Sequence, residues 1–348
     1  MKPVRFGICG CGGISNLHAE CLKKLEQEGI ATLVAGAEIV KERGEKWSAK
    51  WGAKVYPNLG EMLKHAELDV VTVTTPSGLH GEHVMQAAQA KKHILCEKPL
   101  DVKLKQADAA IAAAKKYGVT LGGIFQQRFA PGPRKAKRAI EQGYLGQIVF
   151  VHCETPWYRA QDYYDSGDWR GTWAMDGGVL GNQSPHMIDR LLWLGGDLAE
   201  VTSATLLCGF HRKIEAETVA AVTVKLVNGA IGTITGTTLA YPGMPQRVLI
   251  CGTEGSCGFV GDELSFFKTM RPFETEAADA SPGQAPSTAT GSSDPMAISG
   301  DGHLGNIRDF ALAVGEGREP QVTAAEHRKV VRALNMIYAK AGIAGFGS

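Results

Sequence analysis

The chain has no excess of charge of either sign: in 348 residues, 37 Lys and Arg stand against 36 Asp and Glu. A net charge of +1 lacks the electrostatic footprint that nucleic acid or an anionic membrane requires, so a small-molecule partner is expected. Long apolar runs are absent as well, and none approaches the roughly 18 residues needed to cross a bilayer. The first strand-like run, 4–9, follows Met1 without a signal-peptide pattern, and a cytoplasmic location is expected. Clustered cysteines are missing too. Cys9, Cys11, Cys21, Cys96, Cys153, Cys208, Cys251 and Cys257 are scattered, with no C-x-x-C and no Cys/His group at zinc spacing. That predicts reduced thiols and no metal. No internal repeat is present.

What is present is an alternation. Over residues 1–125, strand-type runs at 4–9, 31–37, 70–74, 94–96 and 120–124 are separated by helix-compatible stretches at 14–27, 41–51, 59–64, 81–90 and 104–116. Such alternation predicts βαβ units, hence an α/β doubly wound parallel sheet of Rossmann type. From 126 to 348 the pattern changes. A helix at 133–142 is followed by strand runs at 148–154, 200–208, 218–226, 230–238 and 246–252, with one helix, 183–194, among them. Tight turns such as Asn228-Gly229 predict a mostly antiparallel sheet. Residues 277–302, rich in Ser, Pro, Gly, Ala and Thr, read as a long mobile loop, and helices are expected at 304–314 and 324–340.

Two short motifs carry chemistry in the first half. Gly10-Cys11-Gly12-Gly13-Ile14-Ser15 lies between a strand and a helix, where glycines permit a tight turn and let amides approach a pyrophosphate. Ser15 takes the position where a small residue packs helix on strand. Glu38, ending the second strand, can accept hydrogen bonds from ribose hydroxyls and would repel a 2′-phosphate, which favours NAD. Lys41 and Arg43 keep NADP open. Thr75 and Pro76 end a third strand and lead to His80, a cofactor-proximal or simply packed histidine. Ile94-Leu95-Cys96 then runs into Glu97-Lys98-Pro99. Strand carboxyl ends face the ligand crevice in open α/β sheets, so this run delivers Lys98 to the place where chemistry occurs.

The second half contributes Asp176-Gly177-Gly178-Val179-Leu180-Gly181-Asn182-Gln183-Ser184-Pro185-His186-Met187-Ile188-Asp189. Asn182 and His186, four apart, share one face if the helix includes both, and Pro185 suits a first helical turn. The positive end of the helix dipole disfavours an imidazolium, leaving His186 a neutral proton acceptor or merely the cap of its own helix. Arg128, Tyr158, Tyr164, Trp169, Arg170 and Gln183 are the candidate wall of a site for a hydroxyl-rich ring, although aromatics also serve as core.

Taken in order, the Gly10–Ser15 turn, Thr75-Pro76 with His80, Glu97-Lys98-Pro99, Gln126-Gln127-Arg128-Phe129, Leu145-Gly146-Gln147-Ile148, Trp169-Arg170-Gly171-Thr172-Trp173, the Asp176–Asp189 run and His303 resemble the Gfo/Idh/MocA oxidoreductases. The resemblance implies an N-terminal Rossmann domain and a C-terminal α/β domain with a large open sheet, through which subunits form a homodimer or homotetramer. It implies NAD(P)-dependent hydride transfer at an alcohol of a sugar, inositol or nucleotide sugar. Lys98 and His186 take the catalytic positions, Glu97 orients the lysine, and the Lys98–Pro99 bond is expected to be cis. Many inositol dehydrogenases of the family carry Asp where this chain has Asn182, several nucleotide-sugar and other sugar dehydrogenases resemble it in having Asn, and an amide can position but not share a proton. Two other activities of such chains stay open: a glycosidase or epimerase using transient sugar oxidation, and a non-catalytic sugar sensor.

Overall fold

The computed structural model describes residues 2–273 and 300–346. It divides into two compact units, Met1–Gln126 with Ser299–Val331, and Gln127–Ile298 with Arg332–Ser348. Among the described residues no helix is long and apolar enough to cross a membrane.

In the first unit the chain runs β1 (Val4–Cys9), α1 (Gly13–Gln27), β2 (Ala31–Ala37), α2 (Lys41–Trp51), β3 (Lys54–Tyr56), α3 (Leu59–His65), β4 (Val70–Val73), α4 (His80–Gln89), β5 (His93–Cys96), α5 (Leu104–Tyr117) and β6 (Leu121–Gly123). All five pairings are parallel, in the order β3-β2-β1-β4-β5-β6. The order reverses between β1 and β4, which opens a crevice at the carboxyl ends of those strands. β4 is buried throughout, as a strand covered on both faces must be, so its sequence is an unbroken β-branched run rather than an alternation. One core packs Val71, Val73, Ile94, Ala107 and Ala110, and another packs Phe6, Ile8, Leu22, Leu25 and Leu95. The short edge strand β3 was not legible in the sequence, because three residues, Lys-Val-Tyr, are too few to show a period.

The second unit contains α6 (Pro131–Glu141), β7 (Ile148–Pro156), α7 (Gln161–Asp165), α8 (Pro185–Gly195), β8 (Leu198–Cys208), β9 (Glu217–Leu226), β10 (Ile231–Thr237), β11 (Arg247–Gly252), β12 (Gly255–Val260) and β13 (Glu263–Thr269). The sheet order is β13-β12-β11-β7-β10-β9-β8, antiparallel except for β7 with β10. Val151, Cys153, Val222, Val224, Ile234 and Ile250 are buried on the face against which α8 packs. By register, Phe150, Leu207, Ile231 and Phe266 belong to the other face, where they are exposed.

The structure corrects the two-part division of the sequence at 125/126 by returning a late segment to the first unit. In α9 (Gly300–Glu316), Ile307, Phe310 and Ala311 join the core that holds Leu22 and Leu25 of α1. The division then passes through α10 (Ala324–Lys340) after Val331. Two glycines of β6 make room for this return. A Cβ on Gly122 would lie 2.7 Å from the Phe310 ring, and one on Gly123 would lie 2.5 Å from His327 Nδ1. Of the expected mobile loop at 277–302, residues 277–299 lie outside the described residues, and the last three begin α9.

Because β6 has no space for a Cβ at this contact, Gly122→Ala is expected to cost about 1–3 kcal/mol by overpacking. An unchanged urea midpoint would mean that α9 does not dock against β6.

Candidate functional site

The glycine turn is shaped by two different needs. Gly10 has φ +97°, and a Cβ there would sit 2.9 Å from Thr75 Cγ2 and 3.0 Å from the Thr74 carbonyl. Any larger residue would be strained and would push β4 away. Gly12 has nothing within 4 Å of a Cβ position, and as the N-cap of α1 it offers no side-chain hydrogen bond to the helix amides. Open space above uncapped amides, at the positive end of a helix dipole, fits a pyrophosphate. Gly13 and Ile14 open the helix. Ser15 is fully buried, takes a hydrogen bond from Trp47 Nε1 (3.1 Å) and gives one to the Gly12 carbonyl.

Glu38 ends β2 in the expected place and is only 6% exposed. Its Oε2 accepts from Cys11 N–H (3.0 Å) and its Oε1 from Val40 N–H (2.9 Å), with Arg43 3.3 Å away. The carboxylate is thus fixed beside the glycine turn, where adenosine ribose hydroxyls would meet it. All eight cysteines are free thiols. Burial, with the Glu38 charge second, pushes the Cys11 thiol up to about 12, so it stays protonated.

At the ends of β4 and β5 the strands are tied together. The His80 ring lies between the carbonyl oxygens of Thr75 (2.8 Å) and Pro99 (2.7 Å), and burial pushes its pKa down. Both ring nitrogens face backbone, so His80 braces the crevice. Thr75 Oγ1 lies 3.0 Å from His83 Nδ1, and Pro76 starts the short turn Ser77–Leu79. Asp101 accepts from Gly81 N–H (3.1 Å) and Lys103 N–H (2.9 Å), and burial pushes it up to about 6.

Lys98 follows β5 directly, half-buried, and its bond to Pro99 is cis. Glu97 behind it is buried. Its Oε2 accepts from Lys98 N–H (3.1 Å), and its Oε1 is 2.8 Å from His18 Nε2 on α1 and 3.9 Å from His303 Nε2 on α9. Burial alone would raise its pKa. The His18 hydrogen bond and the charges of His18, His303 and Lys98 outweigh burial and hold it below the usual carboxylate range. The ligand atoms of His18, Glu97 and His303 lie within 4.8 Å of one another, a group that could hold a metal ion. Sequence reading found no such cluster, since its members are scattered along the chain.

In the second unit the structure changes the expected helix start. Val179–Gln183 forms a π-helical turn and α8 begins at Pro185. Asn182 and His186 therefore sit on consecutive helical turns of different pitch rather than on one α-helical face. Asp176, which sequence reading left without a role, accepts from Asn182 Nδ2 and, through Oδ2, from Gly171 N–H (2.8 Å). A carboxylate there requires the NH2 of the amide to face it, which fixes the orientation of Asn182.

Beneath this turn lies Glu217, fully buried. Its Oε1 accepts from Leu180 N–H (2.8 Å) and the Tyr338 hydroxyl (3.0 Å). Burial pushes the carboxyl up to about 7 against those hydrogen bonds. Gly178 is obligatory above it, because a Cβ would fall 1.9 Å from the Glu217 carbonyl oxygen.

The wall candidates separate by burial. Arg128 forms a buried ion pair with Asp189 of α8, its Nε 2.9 Å from Oδ2. Tyr164 is buried and donates to Thr238 Oγ1 (3.1 Å). Both are tied to partners within their own unit. Arg170 and Gln183 gather around Tyr163, a residue not singled out in the sequence, with the Trp169 ring against the Arg170 guanidinium. Arg170 Nη1 donates to the Tyr163 hydroxyl (2.8 Å), and Gln183 Nε2 lies 3.4 Å from it. Tyr158 stacks edge-on with Tyr241 at 5.2 Å. Contacts with Arg170 and Gln183 mark Tyr163, and a linear reading could not see them.

Comparison with known proteins follows the same division. Residues 4–125 match the profile described as "Oxidoreductase family, NAD-binding Rossmann fold", and residues 134–257 match the "GFO/IDH/MocA C-terminal domain". The chain is 30% identical to the WlbA dehydrogenase of Bordetella pertussis, solved with NADH and UDP-GlcNAcA. The match has a TM-score of 0.86 and covers 98% of this chain and 97% of that one. Myo-inositol 2-dehydrogenase of Thermotoga maritima is 29% identical over 258 residues, covering 72% of this chain and 74% of that protein. The scyllo-inositol 2-dehydrogenase (NAD(+)) of Bacillus subtilis is 29% identical over 275 residues, covering 74% of each.

Glu217 yields a pH prediction. Its folded pKa is raised from 4.5 to about 7, so the folded state holds a proton that the unfolded chain has lost across that window. Stability falls as pH rises from 4.5 to about 7, by roughly 3 kcal/mol for a shift of this size. Glu217→Gln should remove that part of the slope, and a pH-stability profile identical to wild type would refute the assignment. For the His18, Glu97 and His303 group, the expected outcome of dialysis against EDTA is an unchanged melting temperature. A drop would identify a structural metal ion.

Proposed function

The chain belongs to the Gfo/Idh/MocA family of NAD-binding oxidoreductases, and from that premise we propose that it transfers a hydride between NAD and a secondary alcohol of a sugar, inositol or nucleotide sugar. The observation that carries the reading is the end of β5. A lysine there follows a buried carboxylate held ionised, in the same sheet as a glycine turn with open space over uncapped helix amides. The relatives support the substrate class, since their names specify inositols and the solved neighbour holds a nucleotide sugar acid.

The amides of Gly12, Gly13 and Ile14 would hold the pyrophosphate of NAD, and Glu38 the adenosine ribose. The Glu38 carboxylate would repel a 2′-phosphate, and it already engages the nearby Arg43 guanidinium (3.3 Å), so NAD is preferred to NADP. Bound NAD supplies the hydride acceptor. The Lys98 ammonium stabilises negative charge developing on the substrate oxygen. His186 takes the hydroxyl proton as general base. Asn182, oriented by Asp176, positions a substrate hydroxyl rather than relaying a proton, because an amide has no proton to exchange at neutral pH. Subunits would pair through the sheet face that exposes Phe150, Leu207, Ile231 and Phe266, as a homodimer or homotetramer.

A panel of inositols, aldoses, uronates and UDP-sugars, followed at the nicotinamide absorbance with NAD and NADP, tests the reading. Lys98→Ala should lower kcat by about a thousand-fold or more, and His186→Ala by about a hundred- to ten-thousand-fold. If Lys98→Ala retains wild-type turnover on a confirmed substrate, the mechanism fails.

A further inference from the structure

Resting on the dehydrogenase reading, we propose that the substrate carries an anionic group, a carboxylate or a phosphate, that binds at Arg170 beside Tyr163. Three arginines, Arg159, Arg170 and Arg212, lie over the rings of Trp157, Tyr158, Tyr163 and Trp169, although the stretch 157–181 also carries Asp162, Asp165, Asp168 and Asp176. The Arg159 guanidinium, only 4% exposed as a residue, lies 4.9 Å from the Trp157 ring and 5.4 Å from the Tyr163 ring. Arg170 lies 4.3 Å from the same Tyr163 ring and 4.4 Å from Trp169. Arg212 covers Tyr158 at 5.5 Å, and its Nε donates to the Arg159 carbonyl (2.7 Å).

Arg170 uses Nε on Ser166 Oγ (3.0 Å) and Nη1 on Tyr163. Its Nη2 has no acceptor among the described residues, and neither Arg170 nor Arg212 meets a carboxylate there. Burial comes first in depressing the pKa of Arg159, Tyr163 and Tyr164 act against it, and the like charge of Arg170 adds the smallest effect, in the direction of burial. An anion at Arg170 would meet a guanidinium that already shares the Tyr163 ring with a second one. A neutral polyol would need donors and acceptors in balance, whereas this patch offers fixed charge and planar forks that match a carboxylate or phosphate. Gln183, 3.4 Å from the Tyr163 hydroxyl, directly follows Asn182. The charge patch therefore adjoins the turn that would position the reacting hydroxyl.

Binding to the NADH-loaded protein, measured by calorimetry, separates the possibilities. The probes are glucose, glucuronate, glucose 6-phosphate, UDP-glucose and UDP-glucuronate. At least one charged member should bind 30-fold or more tightly than its uncharged or less charged parent. Glucuronate over glucose, or UDP-glucuronate over UDP-glucose, identifies a carboxylate; glucose 6-phosphate over glucose identifies a phosphate. Arg170→Gln should shrink that preference at least tenfold, and Arg170→Lys should restore part of it. Arg212→Gln serves as a second variant if Arg170→Gln does not fold. Equal binding of charged and neutral members, no binding of any charged member, or a preference untouched in both variants overturns the inference. Tight binding of an anionic sugar without NADH formation in the presence of NAD would instead count against the dehydrogenase reading and leave the anion site standing.

Discussion

A carboxylate buried at the end of a strand must be held ionised by its neighbours or it will take up a proton, and Glu97 is that carboxylate here. Desolvation works against its charge, as it does for any acid removed from water. His18 reaches it from the first Rossmann helix, His303 approaches from α9, and the Lys98 amide donates to its second oxygen. The cluster thus needs elements from opposite ends of the chain to fold into one unit. That requirement explains why a segment near residue 300 belongs with the dinucleotide-binding sheet. It also explains why β6 is built from glycines where α9 and His327 come against it.

A second buried acid does the opposite work in the other unit. Glu217 is not held ionised; burial carries it to about 7. Its partners are an amide of the Asn182 turn and a phenol of α10. Gly178 in the turn above it has no side chain because the Glu217 carboxyl and its backbone oxygen occupy the space of a Cβ. Glu97 therefore supplies a fixed negative charge beside a lysine, while Glu217 supplies a hydrogen-bonding peg beneath a loop. The same side chain takes two roles because one is surrounded by imidazoles and an ammonium, and the other by neutral donors.

Much of this was legible in sequence wherever a period or a turn residue carried the signal. The β4 run is legible because a parallel strand buried on both faces has no choice but continuous apolar composition, and the Gly10–Ser15 turn, Glu38 and the Glu97-Lys98-Pro99 stop fall at strand ends in the Rossmann sheet. The family resemblance rested on those stops and on the Asp176–Asp189 run, and the profile matches cover both. What escaped was pairwise and distant: Asp176 behind Asn182, Glu217 beneath the loop, Tyr163 rather than Tyr164 facing Gln183, and the His18 and His303 partners of Glu97. The helix expected from 183 starts at Pro185 because the glycine-rich approach winds into a wider turn first. No spacing rule within a single segment distinguishes an α-helical start from a π-helical one.

An asparagine at 182 takes its meaning from Asp176. An aspartate at 182 would place two carboxylates in contact, and one of them would have to hold a proton. With asparagine, the contact becomes a hydrogen bond from amide to carboxylate, the negative charge stays one residue shell back, and the turn carries no ionisable group of its own at that position. In the proposed mechanism proton acceptance then falls to His186, whose place in the first turn of α8 sets it at the positive end of a helix dipole. An anionic substrate is also easier to accommodate beside an amide than beside a second carboxylate. The cationic patch at Arg170 and the neutral residue at 182 thus point to the same electrostatic demand.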